Sequence, residues 1–429
     1  MRRLLVVFAL VATAAQAQPD SSTTSYTVDG IRVIHRRTSA SIVVANLYLL
    51  GGVRQATAAT AGLESFLLAA TERGTERYPR DVLRHAMART GSEILIQPHE
   101  DWTVVGVRTT TSELDSTWAI FADRVMHPTL DAAEVEFVRG LLLSEVRQRS
   151  DSPDATLDQL ADSVAFAGHP YELSPVGDAK SLARITLAQL KAYQRDQFVA
   201  SRMLLVVVGN LPRTKIEALV HASIGRLPAG TYKWIMPDTV PTRAADAAFA
   251  RRMLPTNYIQ GYFTGPPANS PDVPALRVAA AVLTGRLFAE IRSKRNLTYA
   301  VNANLRDRGI TSFGLYVTTT APDTTIALMK TEVHALQATS LDTEQLRPLV
   351  QQFITEYFLD NETITAQADF LARAQLFRGD FHAGDRFVAD LRAVTGADVQ
   401  RVARRYLKNV RWGYVGDPTR VRRDRMISF

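Results

Sequence analysis

Apolar and polar positions alternate through Tyr26–His35 around Asp29-Gly30, the pattern of a β-hairpin closed by a two-residue turn. Ser41–Leu50 follows as a long, mostly apolar strand ended by Gly51-Gly52. The spacing then predicts a helix over Gly62–Arg73, a strand over Trp102–Arg108, and long helices over Ala132–Arg149 and Thr156–Ala167. The same order recurs downstream. A strand is predicted at Tyr258–Thr264, a helix at Val273–Lys294 and a strand at Ser312–Thr320, with helices at Thr324–Ala338 and Thr343–Leu359. Strands and helices mixed in this way predict an α+β fold, with helices layered over a mainly antiparallel sheet.

Each half also ends alike. Ile185–Phe198 reads as a helix running into the strand Met203–Asn210, and Val394–Leu407 as a helix running into Trp412–Asp417. Thr186, Ala188 and Arg195 in the first helix match Thr395, Ala397 and Arg404 in the second. Thr186 with Gln189 forms a capping box, and Thr395 with Asp398 approximates one, so both helices start by the same device. The shared helix-then-strand order points to duplication of one plan. Pro228–Arg243 contains Pro-Ala-Gly, Met-Pro-Asp and Val-Pro-Thr and reads as a linker. Two homologous domains are therefore expected, at 18–227 and 244–429, joined by a linker at 228–243.

Composition changes this picture in three places. Met1–Ala17 has a basic start, an apolar core and an Ala15-x-Ala17 ending, the layout of a cleaved signal peptide. Its apolar run is shorter than the roughly 20 residues a membrane helix needs, so no stable membrane anchor is expected. A periplasmic or secreted location follows as an expectation. The chain has no cysteine, which excludes disulfides and thiol catalysis. Net charge is +7, with Arg401, Arg404, Arg405, Lys408, Arg411, Arg420, Arg422, Arg423 and Arg425 crowding the C-terminus. No aromatic-basic interleaving supports nucleic acid as a partner. The basic run reads as a solvated helix face plus a tail and leaves an anionic surface or acidic partner open.

Gly62-Leu-Glu-Ser-Phe-Leu-Leu-Ala-Ala-Thr-Glu-Arg-Gly-Thr75 is the most informative stretch. Its frame is similar to the zinc helix of inverted-motif peptidases, where His-x-x-Glu-His precedes a Gly-Thr stop. Gly51-Gly-Val-Arg54, His169-Pro-Tyr171, Gly177 and Val208-Gly-Asn210 follow in order. In the second half come Arg286-Leu-Phe-Ala-Glu-Ile-Arg292 and Lys294-Arg-Asn-Leu-Thr-Tyr-Ala300. Together these resemble the pitrilysin and mitochondrial-processing-peptidase family across nearly the whole chain after the signal. The resemblance implies two homologous domains forming half of a clamshell.

Carried over residue by residue, the family's two His positions fall on Ser65 and Ala69, and its catalytic Glu on Leu68. Serine is a poor zinc ligand, and leucine and alanine offer no lone pair. The distal ligand position keeps a carboxylate, Glu145. One carboxylate cannot supply the three protein ligands of a catalytic zinc. Glu72 shares the face of Ser65 and Ala69, but no His remains on that helix, and the eight histidines of the chain show no i, i+3 or i+4 pair. Neither a catalytic residue nor zinc is expected in this chain.

The second half departs less. Arg292 and Tyr299 stand where the family's substrate-facing Arg and Tyr lie, two donors suited to a peptide carbonyl gaining negative charge. The edge region Glu93–Asp101 contains Pro98, which has no N–H, so peptide addition to that edge is not expected. The resemblance implies a non-catalytic, substrate-orienting subunit of a heterodimeric periplasmic zinc peptidase. The zinc would sit in a paralogous partner, and peptides would be the substrate. The other reading is a pseudopeptidase acting as scaffold or peptide-binding protein without a catalytic partner.

Overall fold

A computed structural model describes residues 22–241 and 243–429. The expected signal segment, Met1–Ala17, lies outside the described residues. The hairpin forms as its alternation requires. β1 (Thr23–Val28) pairs antiparallel with β2 (Ile31–Arg37), and Asp29 and Gly30 turn between them at φ 47° and 83°. β3 (Ile42–Leu50), β4 (Glu93–Pro98), β5 (Trp102–Thr110) and β6 (Met203–Gly209) complete a six-stranded sheet in the order β1-β2-β6-β3-β5-β4. The second half builds a five-stranded sheet in the order β7-β11-β8-β10-β9. Its strands are β7 (Asp246–Arg251), β8 (Asn257–Pro267), β9 (Val301–Arg306), β10 (Ile310–Thr319) and β11 (Arg411–Gly416).

The duplication is visible in the topology. β6 runs parallel to β2 and antiparallel to β3, and β11 runs parallel to β7 and antiparallel to β8. The helices feeding β6 and β11, Leu187–Gln197 and Gly396–Tyr406, both open on a complete capping box, at Thr186/Gln189 and Thr395/Asp398. The approximate box expected at Thr395 is a full one, because the Asp398 carboxylate reaches back to the Thr395 N–H at 3.1 Å.

One face of each sheet is covered by its own helices. The other face is covered by an exchange. Helix Pro153–Ala165, from the first half, lies on the second-half sheet at β11 and β8. Helix Ile364–Arg378, its counterpart in the second half, lies on β6 and β3 of the first-half sheet. Gly413 on β11 permits the first contact: a Cβ there would stand 2.9 Å from the backbone nitrogen of Ala161. Ala368, Leu371 and Ala372 make the second, packed with Ile34, Val44, Leu204 and Val206. The linker does not hang free. Tyr232, Trp234 and Met236 pack against that same cluster, and the Trp234 indole donates to the Leu376 carbonyl at 2.7 Å.

A charged seam accompanies the exchange. Arg308, between β9 and β10, donates to Glu100 at 3.0 Å and to Asp162 of the exchanged helix at 2.7 Å. Arg306 bridges the same two carboxylates at 3.2 and 2.9 Å. Asp101 accepts from the Tyr171 hydroxyl at 2.5 Å and the Gly309 N–H at 2.7 Å.

Two sequence expectations change here. Pro98 does not interrupt the pairing of β4; it is the last residue of the strand and stands opposite Thr103, so β4 is a continuous edge of the first sheet. The basic C-terminus is not a tail. Arg423–Ile427 is a helical turn, Met426 is buried, and its carbonyl accepts from the Trp412 indole at 3.1 Å.

Candidate functional site

The motif helix, Leu63–Ala70, begins at Gly62, whose φ of 84° a side chain would resist. A Cβ at Gly62 would lie 2.7 Å from the Val176 carbonyl, and one at Gly177 would lie 2.6 Å from the Ala61 carbonyl. The two glycines therefore let the segment around Pro175 close over the start of the helix. Ser65 is only 7% exposed, and its hydroxyl lies 3.1 Å from the Gly62 carbonyl and 3.2 Å from that of Pro175. Leu68 is 1% exposed and belongs to the core with Phe66, Leu67 and Val105. Ala69 packs against the same core.

Glu145 lies exposed on helix Ala132–Asp151. Glu72, on the turn after the motif helix, pairs with the buried Arg124 at 3.1 Å. These residues do not fit a zinc ion. The one hydroxyl is spent on backbone carbonyls, the Glu position is apolar core, and Glu72 already has a cation.

Sequence reasoning missed Glu64, beside Ser65. It is buried and accepts from Arg202 at 2.7 Å and from the Tyr193 hydroxyl at 2.9 Å. Arg202 is wholly buried and also donates to the Leu50 carbonyl at 2.6 Å. This pair pins the motif helix to the beginning of β6. A carboxylate in an otherwise apolar helix was the available signal, since such a group is rarely buried without a cation.

The second-half block is built differently. Helix Val273–Leu287 passes into a π-helical segment, Phe288–Ser293, a widening that often accompanies functional positions. Asn296 turns the chain in the left-handed region at φ 51°. On either side of Tyr299 the backbone is fastened: the Thr298 hydroxyl donates to the Thr318 carbonyl at 2.5 Å and receives the Ala300 N–H at 3.0 Å. Tyr299 itself is 82% exposed.

Arg292 comes to the Tyr299 ring, its guanidinium carbon 4.9 Å from the ring centroid, and stands 5.0 Å from the ring of the exposed Phe288. Lys294 and Arg295 close on Glu290, whose carboxyl they hold below its ordinary value. Arg292, half-buried, has no acid or hydrogen-bond acceptor among the described residues, so its donors, like the Tyr299 hydroxyl, are unengaged within them. The structure thus brings together the two residues singled out in the second half. In the first half it turns the motif positions to packing.

Comparison with known proteins finds one family for both halves. Residues 32–178 match the model of the insulinase family, peptidase family M16, and residues 184–353 match that of the peptidase M16 inactive domain. The chain is 24% identical over 401 residues to subunit 1 of the mitochondrial cytochrome b-c1 complex of Caenorhabditis elegans, covering 88% of this chain and 84% of that one. It is 22% identical over 379 residues to the mitochondrial-processing peptidase subunit beta of Blastocladiella emersonii, covering 84% and 80%. A peptidase M16 inactive domain from Pseudomonas fluorescens superposes with a TM-score of 0.82 at 19% identity, covering 92% of this chain and 98% of that one. The chain belongs to the M16 (insulinase) peptidase family, in a form whose motif helix lacks the residues that hold zinc.

Proposed function

We propose that this chain is the substrate-orienting, non-catalytic subunit of a periplasmic peptidase whose zinc is carried by a paralogous partner. One observation carries the reading. Arg292, half-buried, and Tyr299, exposed, stand side by side with no acid or acceptor among the described residues, on a backbone fastened around Tyr299. The guanidinium has no acid beside it among the described residues and the phenol hydroxyl lies in solvent, so both donors are open to a ligand. They are donors placed to meet a peptide carbonyl as negative charge develops on it. The zinc chemistry belongs to the partner; this chain supplies the two donors. Two similar proteins are named as subunits, one of a cytochrome b-c1 complex and one of a processing peptidase, which supports a partner subunit for this chain.

Co-expression with a zinc-bearing paralogue, followed by sizing, zinc analysis and peptide hydrolysis, tests this. A one-to-one complex that hydrolyses peptides in a chelator-sensitive way supports the proposal. Absence of association at micromolar concentration would favour the scaffold reading instead.

A further inference from the structure

Two acids are each shared by two of the C-terminal arginines. Asp272 serves Arg401 at 2.6 Å and Arg405 at 3.3 Å, and Asp246 serves Arg423 at 2.6 Å and Arg411 at 3.4 Å. Arg243 and Lys408 have no acid among the described residues. Four of these cations, Arg243, Arg405, Lys408 and Arg411, line one cavity of about 330 Å³, and no carboxylate lines it with them. The cavity lies at a junction of three parts of the chain. Ala165 ends the exchanged helix, Arg243 ends the linker, and Arg405–Arg411 joins the last long helix to β11.

Arg411 is the most buried cation of the lining, at 9% exposure, and its Nε has no hydrogen-bond partner among the described residues. Burial lowers its pKa, Asp246 opposes that, and the neighbouring Arg243 lowers it further. A buried guanidinium with an idle donor, repelled by a second cation, is the reverse of what a purely structural ion pair provides. The Thr264, Tyr406 and Asn409 side chains add polar groups to the same walls.

We infer that this cavity is a binding site for a small soluble polyanion of the phosphate class. Guanidinium edges match phosphate oxygens in pairs, and a lysine adds a point charge. The volume is many times the roughly 30 Å³ of one water, which leaves room for more than a single phosphate group. Binding there would tie the exchanged helix, the linker and the C-terminal arginines together.

The test is titration calorimetry of the full chain with inorganic pyrophosphate and with inorganic phosphate, against sodium chloride at matched ionic strength. Arg243→Gln with Lys408→Gln is the informative variant, because both side chains are exposed and free of ion pairs. Arg411→Gln would also release Asp246 and is a poorer choice. Saturable one-to-one binding of pyrophosphate, weakened at least about tenfold in the double variant, is expected. The inference is overturned by absence of saturable binding up to about 10 mM, by an equal effect of chloride, or by affinity unchanged in the double variant. Binding only to vesicles of anionic lipid, with no soluble phosphate bound, overturns it too.

Discussion

At the scale of single residues, the two halves treat their family positions in opposite ways, and each treatment has a measurable consequence. Tyr299 makes its contacts through the ring and leaves its hydroxyl in solvent. Tyr299→Phe should therefore leave folding stability within about 0.5 kcal/mol of the parent, as for an uninvolved surface group. Leu68 has the opposite environment. Leu68→Glu, the central step in rebuilding a zinc motif, removes an apolar side chain from the core and puts a carboxylate in its place. It should cost at least about 3 kcal/mol in denaturant unfolding. A cost below about 1 kcal/mol would show that this face of the helix tolerates charge and is not core. The same burial explains why restoring the motif letters alone should not restore a site.

At the scale of elements, the long strands and helices were legible because their apolar periodicity is strong and their ends carry caps and glycines. β4, β7 and β9 were not read as strands. All three are sheet edges with mixed polarity, and β4 also hides behind the Pro98 that ends it. The exchange of Pro153–Ala165 and Ile364–Arg378 was not legible either. An apolar helical face announces burial but not which sheet it covers, and here the covering sheet belongs to the other half. Arg292 and Tyr299 could be found from the motif they sit in. Their stacking could not, because it brings together a residue of the π-helical segment and one beyond the left-handed turn at Asn296, neither of which the periodicity announces. Glu64 was overlooked because its partner, Arg202, lies more than a hundred residues away. The exchange gives a direct prediction. Gly413→Ala should lower stability by about 1–3 kcal/mol, since the added methyl would meet helix backbone that cannot give way. Equal midpoints for variant and parent would mean that the helix seats on β11 less tightly than these contacts require.

At the scale of the whole molecule, the two halves hold each other's cores, so they should unfold together. Cleavage at a protease site engineered into the linker should leave the halves associated, with a single unfolding transition. Two separated transitions would count against the exchange. The charged seam adds a pH dependence. Burial raises the Glu100 carboxyl, but Arg308 and Arg306 outweigh it and hold the group below its ordinary value. A depressed acid contributes stability that is present above the ordinary carboxylate range, near pH 4, and lost as pH falls through the depressed value. Asp101 runs the other way. Burial raises it, so its contribution is present below that range and lost as pH rises through the raised value. Glu100→Gln should flatten the acid limb of the unfolding midpoint, while a limb of unchanged slope would remove Glu100 from the account.

The central claim is that this chain lends Arg292 and Tyr299 to chemistry carried out by a partner. Turnover of a peptide by the purified complex, parent against Tyr299→Phe and Arg292→Ala, tests it most directly. Loss of kcat by roughly 100- to 1000-fold, with zinc content and assembly unchanged, is the expected result for donors that meet the developing charge. If both variants keep kcat/KM within about twofold of the parent, the pair is structural and the claim fails.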